Sequence, residues 1–363
     1  MSKKKIVHIV EAFGGGVFTY FVELANSMCD EFDIVIAYAK RKQTPADFEE
    51  YFDDRIKLFE VKNFTRSINP LKDFKASIEI HKIIKDENPD IVHLHSSKAG
   101  IIGRLIIQAK DRKMFYTPHG FSFLKQDDSK LKRLLYKAIE KTTAVFNKNC
   151  KIVACSKGEY KESLKLSSNS TYINNGVNTK EIDEFVEVKK ENQIDVNNLK
   201  ICTIGRIGFQ KNPELFNQIA EKFPNIQFTW IGDGELRQSL KSNNIEITGW
   251  KARKDVLNEL EKNDIFILPS LWEGLPLSLL EAMYLKKVCI VSNVIGNRDV
   301  IENEENGFVC NDLNDYVKTI KQIQNGKYNL NIIENNANRD ILNEYNIDIM
   351  SKKYEQLYNN KEN

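Results

Sequence analysis

Residues 264–285 read DIFILPSLWEGLPLSLLEAMYL. The opening run, DIFILPS, is continuously apolar and ends in Pro-Ser, which suits a short strand buried on both faces. The run PLSLLEAMYL that follows suits a helix, with Pro276 in the first turn, where its missing N–H would have no partner anyway. Two carboxylates interrupt this core-like stretch eight residues apart. Glu273 falls in the strand-to-helix loop, whereas Glu281 falls in the second helical turn, so the reading turns both toward one cleft. Burying Glu281 among Leu279, Leu280, Ala282 and Met283 is costly unless it is bonded to something. The amides of Leu275 and its neighbours, at the positive end of the helix dipole, point toward whatever fills the loop.

The same strand-then-helix unit recurs outward in both directions. Before it come KIVHIV, FDIVIAY, DIVHLH, MFYTP and CKIVACS, then LKICTIGR, IQFTWIGDG and IEITGW; after it come KVCIVS and GFVC. Alternation of this kind implies parallel sheets covered by helices, an α/β architecture. A chain of 363 residues is too long for one ordinary core. The polar run EVKKENQIDVNN suggests where it divides: a first domain over 1–178, a link over 179–198, a second domain over 199–340 and a C-terminal helix over 341–363 that packs back on the first domain.

Composition excludes several classes. The six cysteines show no C-x-x-C pair and no repeated spacing, so neither a disulfide framework nor a zinc site is expected, and reduced core thiols of a cytoplasmic protein are. The N-terminal apolar stretch is broken by His8 and Glu11, so no secretion signal is expected, and no run reads as a membrane span. Net charge is +2, but residues 1–180 hold 31 Lys and Arg against 22 Asp and Glu. Much of the excess lies in KLKRLLYKAIEKTTAVFNKN, a basic amphipathic helix that either lies on an anionic membrane surface or is simply solvated. No nucleic-acid module accompanies the charge.

Ligands of open parallel sheets bind beyond the carboxyl ends of the strands, so those positions carry the functional reading. After the first strand stands Phe13-Gly14-Gly15-Gly16, either a tight turn or a loop whose amides approach a ligand; it is not G-x-G-x-x-G. His95, Ser96, Ser97 and Lys98 follow another strand, and His119 and Gly120 a third. His95 and His119 are read as site residues, His8, His81 and His93 as packing or surface residues, and no metal site is read. Phe121 and Phe123 either contact a ligand or fill the core. Arg206 follows Gly205 at a strand end and Lys211 lies five residues on; alone each is an ordinary surface cation, together they form a phosphate site. Gly232-Asp233-Gly234 reads equally well as a plain turn. Hydroxyls of a sugar ring are suitable partners for Glu273 and Glu281.

These pieces, in this order, resemble the family 4 glycosyltransferases, retaining enzymes of the GT-B fold with two Rossmann-like domains facing a cleft. The resemblance rests on E-x7-E at Glu273 and Glu281, G-R-x4-K at Gly205, Arg206 and Lys211, His119-Gly120, the Ser156 region, Asn175-Gly176-Val177 and the loop Gly14 to Gly16. Asn178 departs from the aspartate that often follows N-G-V. The resemblance implies that Glu281 binds the nucleotide ribose and Glu273 the donor sugar. Arg206, Lys211 and the amides of Gly274 and Leu275, ahead of Pro276, would hold the diphosphate, and His119 would bond the sugar. Gly15 and Gly16 would approach the diphosphate and acceptor, and Asp233 and Trp250 the base. His95, Ser97, Lys98 and Phe121 are the acceptor candidates. The implied catalytic set is His119, Arg206, Lys211 and Glu273. The implied substrates are a nucleoside diphosphate sugar, UDP-linked and carrying an N-acetylated hexose or 6-deoxyhexose, and a polyprenyl-diphosphate saccharide met at the inner face of the plasma membrane. The resemblance implies no cofactor, metal or nucleic acid. The sequence has no D-x-D triplet. A 2-epimerase of the same fold, a non-catalytic nucleotide-sugar-binding subunit and, on fold alone, an NAD-dependent dehydrogenase are the alternatives.

Overall fold

The computed structural model describes residues 3–65, 68–107, 112–188 and 194–359. Two compact units emerge, one made of Met1–Asn175 with Ile347–Asn363 and the other of Gly176–Asn346.

In the first unit the chain runs β1 (Lys4–Phe13), α1 (Gly16–Met28), β2 (Phe32–Lys40), β3 (Lys57–Glu60), α2 (Pro70–Glu87), β4 (Ile91–His95), α3 (Ser97–Ile106), β5 (Lys113–Thr117), α4 (Lys130–Phe146), β6 (Cys150–Ala154), α5 (Lys157–Leu164) and β7 (Ser170–Tyr172). The seven strands are parallel in the order β3-β2-β1-β4-β5-β6-β7. The central strands are apolar on both faces because helices cover both: Ile6, Val7, Ile9 and Val10 of β1 are all buried. Helix α3 sits close on the sheet because two of its residues lack side chains. A Cβ on Gly100 would lie 2.3 Å from the Tyr116 ring, and one on Gly103 2.4 Å from Leu94. A buried ion pair, Arg104 to Glu140 at 2.5 Å, joins α3 to α4, and the Tyr116 hydroxyl donates to the same carboxylate at 2.8 Å.

The second unit contains α6 (Thr179–Phe185), β8 (Lys200–Ile204), α7 (Pro213–Lys222), β9 (Gln227–Ile231), β10 (Ile245–Ile247), α8 (Arg253–Glu261), β11 (Ile265–Leu268), α9 (Leu277–Tyr284), β12 (Val288–Ser292), β13 (Phe308–Cys310), α10 (Leu313–Gln324) and α11 (Leu330–Glu344). Its six strands are parallel in the order β10-β9-β8-β11-β12-β13. The core is aliphatic and aromatic, with Trp230 wholly buried and its indole N–H donated to the Gly205 carbonyl at 2.8 Å.

The chain then returns to the first unit as α12 (Ile347–Tyr358). Tyr354 and Tyr358 of this helix are buried, and the Tyr354 hydroxyl receives the Tyr20 hydroxyl proton at 2.9 Å. Two expectations change in detail. The stretch 179–198 opens on α6, which belongs to the second unit, and its residues 189–193 lie outside the described ones. The single helix over 341–363 is instead the end of α11 and a separate α12, broken at Tyr345 and Asn346; residues 360–363 are not described. No described helix is long and apolar enough to cross a membrane.

In each sheet the chain reverses direction at one point, between β1 and β4 and between β8 and β11. At such a switch point the loops leaving the two neighbouring strands diverge, which opens a crevice at the carboxyl ends. The glycine loop and His95 leave the strands at the first, and Gly205, Arg206 and Glu273 at the second.

Candidate functional site

In the second unit β11 ends at Leu268, and α9 begins at Leu277 with Pro276 as its N-cap, one residue earlier than the first-turn position expected for the proline. Glu273 is buried in the intervening loop and Glu281 in the second turn of α9. Each carboxylate is held by a cation. Lys211 Nζ lies 2.8 Å from Glu273 Oε1, and the Gln210 side-chain amide donates to Glu273 Oε2 at 3.2 Å and to the Trp272 carbonyl at 2.9 Å. Glu281 Oε1 receives Arg253 Nη1 at 2.5 Å, and the same guanidinium lies 3.4 Å from Glu181 on α6.

Glycines clear the space for this arrangement. Gly205 has φ +138°, and a Cβ there would lie 3.0 Å from Lys211 Cε, so the lysine stem passes where any other residue would carry its side chain. A Cβ on Gly296 would fall 2.3 Å from the Gly274 carbonyl oxygen, so the loop after β12 braces the backbone at Gly274 and Leu275. The Arg206 side chain stands 28 % exposed, with Nη1 3.7 Å from Glu235 Oε1. The Asp233 carboxylate accepts from Arg237 at 2.8 Å and from the Gly234 amide at 2.8 Å, so it shapes its turn. Trp250 is 55 % exposed.

In the first unit Gly15 is the N-cap of α1 with φ +56°, and among the described residues, chain neighbours and the helix's own backbone aside, nothing lies within 4 Å of the Cβ positions at Gly15 or Gly16. Among the described residues no side chain caps this helix, so its first amides have no partner within the helix or from a cap. His119, just beyond β5, is partly exposed and has φ +50°. Glu159 fixes its turn: Oε1 accepts the Gly120 amide at 2.6 Å and Oε2 the Cys155 amide at 2.8 Å. His119 Nε2 lies 3.1 Å from His95 Nδ1, and His95 Nε2 lies 3.0 Å from His8 Nδ1. His93 bonds the Tyr358 hydroxyl at 2.6 Å and the Thr117 hydroxyl at 2.9 Å. Burial disfavours the charged form of every one of these imidazoles. It pushes His8 down to about 3 and His119 to about 4, and holds His93 and His95 well below the usual range, where neighbouring imidazoles add to the effect.

Several expectations are corrected here. Phe121 is fully buried and stacked on Phe123, with ring centroids 4.8 Å apart, so it packs the core and cannot meet an acceptor. His95 is fully buried and bonded to His119, so it is not placed to meet an acceptor directly. Lys98 bonds the Thr65 carbonyl at 2.6 Å and pairs with Asp73 at 2.5 Å, which ties α3 to α2. The Ser97 hydroxyl accepts the Ser122 amide at 3.2 Å and is buried, a structural use. His8 and His93, read as packing or surface residues, join His95 in a group whose nitrogens lie within 4.8 Å of one another and could hold a metal ion. The ring nitrogens of His93 already bond Thr117 and Tyr358, and His8 and His95 bond each other.

Arg253, Gln210, Gly296 and Glu159 were not singled out from sequence. Arg253 had a signal, since an arginine in the first turn of a helix opposes the dipole and needs an anionic partner. Glu159 had one as well, in the capping-box spacing of Ser156 and Glu159 within CSKGEY.

Comparison with known proteins shows the family. Residues 14–181 match the sequence model described as Glycosyltransferase Family 4, and residues 184–362 the one described as Glycosyl transferases group 1. An Escherichia coli protein named UDP-Gal:alpha-D-GlcNAc-diphosphoundecaprenol alpha-1,3-galactosyltransferase is 34 % identical over 339 residues, covering 85 % of each chain. A Campylobacter jejuni N,N'-diacetylbacillosaminyl-diphospho-undecaprenol alpha-1,3-N-acetylgalactosaminyltransferase is 26 % identical, covering 82 % of this chain and 84 % of its own. Among solved structures a sucrose-phosphate synthase from Thermosynechococcus elongatus aligns with a TM-score of 0.80 at 14 % identity, covering 99 % of each chain, which shows the fold. The two sheets are those of a GT-B glycosyltransferase. The chain belongs to glycosyltransferase family 4, with the relatives that build bacterial lipid-linked saccharides among its matches.

Proposed function

We propose that this glycosyltransferase moves a sugar from a UDP-sugar to a hydroxyl of a polyprenyl-diphosphate-linked saccharide, with retained anomeric configuration and without a metal ion. The observation that carries the reading is Lys211 beside Glu273 at 2.8 Å, its stem laid across Gly205 at the switch point of the second sheet. A lysine so placed and Arg206, which leaves the same strand end after Gly205, are suited to hold a diphosphate. As the glycosidic bond breaks, charge grows on that leaving group, and the two cations neutralise it without proton transfer. The second unit is assigned to the nucleoside diphosphate, with Glu281 on the ribose. The first is assigned to the sugar and acceptor, with His119 bonding a sugar hydroxyl.

Retention follows a same-face path in which the departing diphosphate helps deprotonate the acceptor, because Glu273 is engaged by Lys211 and Gln210 and is not poised as a nucleophile. The sugars named for the two relatives, galactose and N-acetylgalactosamine, both carry a C6 hydroxyl for His119. They are preferred as donors over a 6-deoxyhexose.

The acceptor is lipid-linked, and α4 offers a membrane face: Leu131, Leu134 and Leu135 are exposed at helical spacing, flanked by Lys130 and Lys132. Flotation with anionic liposomes at low and high salt tests this, and equal binding to neutral vesicles would refute the electrostatic part. For the reaction, the purified protein is incubated with UDP-galactose or UDP-N-acetylgalactosamine, GlcNAc-diphosphoundecaprenol and EDTA. UDP release that needs the acceptor, with an α-anomer in the product, is the expected result. Inverted product, loss of activity in EDTA, or acceptor-independent formation of a C2 epimer would each overturn its part of the proposal.

A further inference from the structure

His8, His95 and His119 form a hydrogen-bonded row running from the buried face of the first sheet to its surface. Strands β1 and β4 pair with His8 opposite His93 and Val10 opposite His95, so His8, His93 and His95 share one face. Rings cover the row: Phe21 meets His8 edge-on at 5.6 Å and His95 at 4.6 Å, and Tyr20 meets His119 at 4.8 Å. His8 and His95 are essentially without exposure. Burial among rings keeps the imidazoles neutral, and a neutral imidazole has one nitrogen that donates and one that accepts.

That constraint couples them. The contacts are His119 Nε2 to His95 Nδ1 and His95 Nε2 to His8 Nδ1. If His119 donates from Nε2, His95 must accept at Nδ1 and donate from Nε2, and His8 must accept at Nδ1. All three are then Nε2–H tautomers. If His8 donates from Nδ1, the order reverses and all three are Nδ1–H tautomers. No mixed arrangement makes both bonds, and a buried donor facing a donor would cost more than either bond provides.

We infer that His95 and His8 are positioning residues that tie the tautomer of His119 to their own, and so decide whether its other nitrogen, Nδ1, donates to or accepts from the sugar hydroxyl. The inference rests on the proposed role of His119. The backbone supports it: His119 at φ +50° and Ser96, next to His95, at φ +85° are both held in sparsely populated conformations at the strand ends. Strain of this kind persists where the surroundings fix a geometry.

The test uses the full chain labelled with 15N-histidine, in which five histidines give a countable set of ring signals. Long-range 1H–15N correlations report each tautomer. One tautomer common to His8, His95 and His119 is expected, and a mixture among the three would overturn the inference. His8→Phe, remote from substrate, keeps a ring beside Phe21 and removes one end of the row. It should change the tautomer balance of His119 and lower kcat roughly threefold to tenfold with UDP-galactose and GlcNAc-diphosphoundecaprenol, while leaving KM for UDP-galactose within about twofold. His95→Phe should match or exceed that loss. If His8→Phe leaves both the His119 tautomer and kcat unchanged while His119→Ala is inactive, the relay is wrong and the role of His119 stands. If His119→Ala is fully active, the role of His119 fails and the positioning proposal falls with it, whatever the tautomers show.

Discussion

Replacing Arg253 by methionine keeps an apolar stem and removes the only cation bonded to Glu281 among the described contacts. Arg253 Nη1 lies 2.5 Å from Glu281 Oε1, and the side chains are 16 % and 5 % exposed. With charge centres about 4 Å apart and an effective dielectric of about 20, the attraction is about 4 kcal/mol. Stranding one charge of a buried pair costs about 3–5 kcal/mol, and the residual exposure of Arg253 argues for the lower end, about 3 kcal/mol. In a domain of this size that is a fall in Tm of about 6–12 °C. Guanidinium denaturation of the wild type, Arg253→Met, Glu281→Gln and the double variant measures it directly. The double variant should lose about 2 kcal/mol less than the sum of the single ones. Additivity within about 0.5 kcal/mol would show two independent surface groups and refute the reasoning. UDP titration then separates the two uses of Glu281. If it also holds the ribose, Glu281→Gln weakens UDP about tenfold at temperatures where the fold is intact.

Lys211→Met should lower kcat by about 10²–10³ with little change in KM, as expected for a cation that stabilises charge formed only in the transition state; a change confined to KM would place it in ground-state binding. Stability should fall in mild acid. The buried imidazoles have folded values below the unfolded one, so the unfolded chain binds more protons, and stability present above about pH 6.5 is lost as the pH drops toward the folded values. By pH 5 His8 alone should cost about 2 kcal/mol, with His93 and His95 acting in the same direction, read as a falling denaturant midpoint between pH 7 and pH 5. A flat profile would mean that these imidazoles are hydrated.

The features legible in sequence were those written in local pattern. Strand and helix periods gave two parallel sheets, and glycines, cations and carboxylates at strand ends gave Gly205, Arg206, Lys211, Glu273 and Glu281, because the carboxyl edge of such a sheet is where ligands bind. What was not legible depends on partners far apart in the chain. Arg253 reaches Glu281 across 28 residues and Glu181 across 72, and His8 reaches His95 across 87. Phe121 and Lys98 misled for the same reason. Both stand where a ligand could be met, yet Phe123 stacks on the first and Asp73, from another helix, holds the second.

Ser96 shows how closely fold and site are joined at these strand ends. Its φ of +85° and ψ of +154° lie in a region that essentially only glycine enters, at a cost of about 1–3 kcal/mol. Its amide donates to the Thr117 carbonyl at 3.0 Å, and its hydroxyl caps α3 through the Ala99 amide at 3.4 Å. Exchanging a serine cap for glycine forfeits only a few tenths of a kcal/mol, so relief of strain should win. Ser96→Gly is therefore expected to stabilise the first unit by about 1 kcal/mol, seen as a raised denaturant midpoint. A destabilised variant would show that the hydroxyl contributes more than one weak cap. If the strained turn also serves to aim His95 at His119, the stabilised variant should lose activity even so, because glycine lets the turn relax. Greater stability with full activity would confine the strain at Ser96 to the fold.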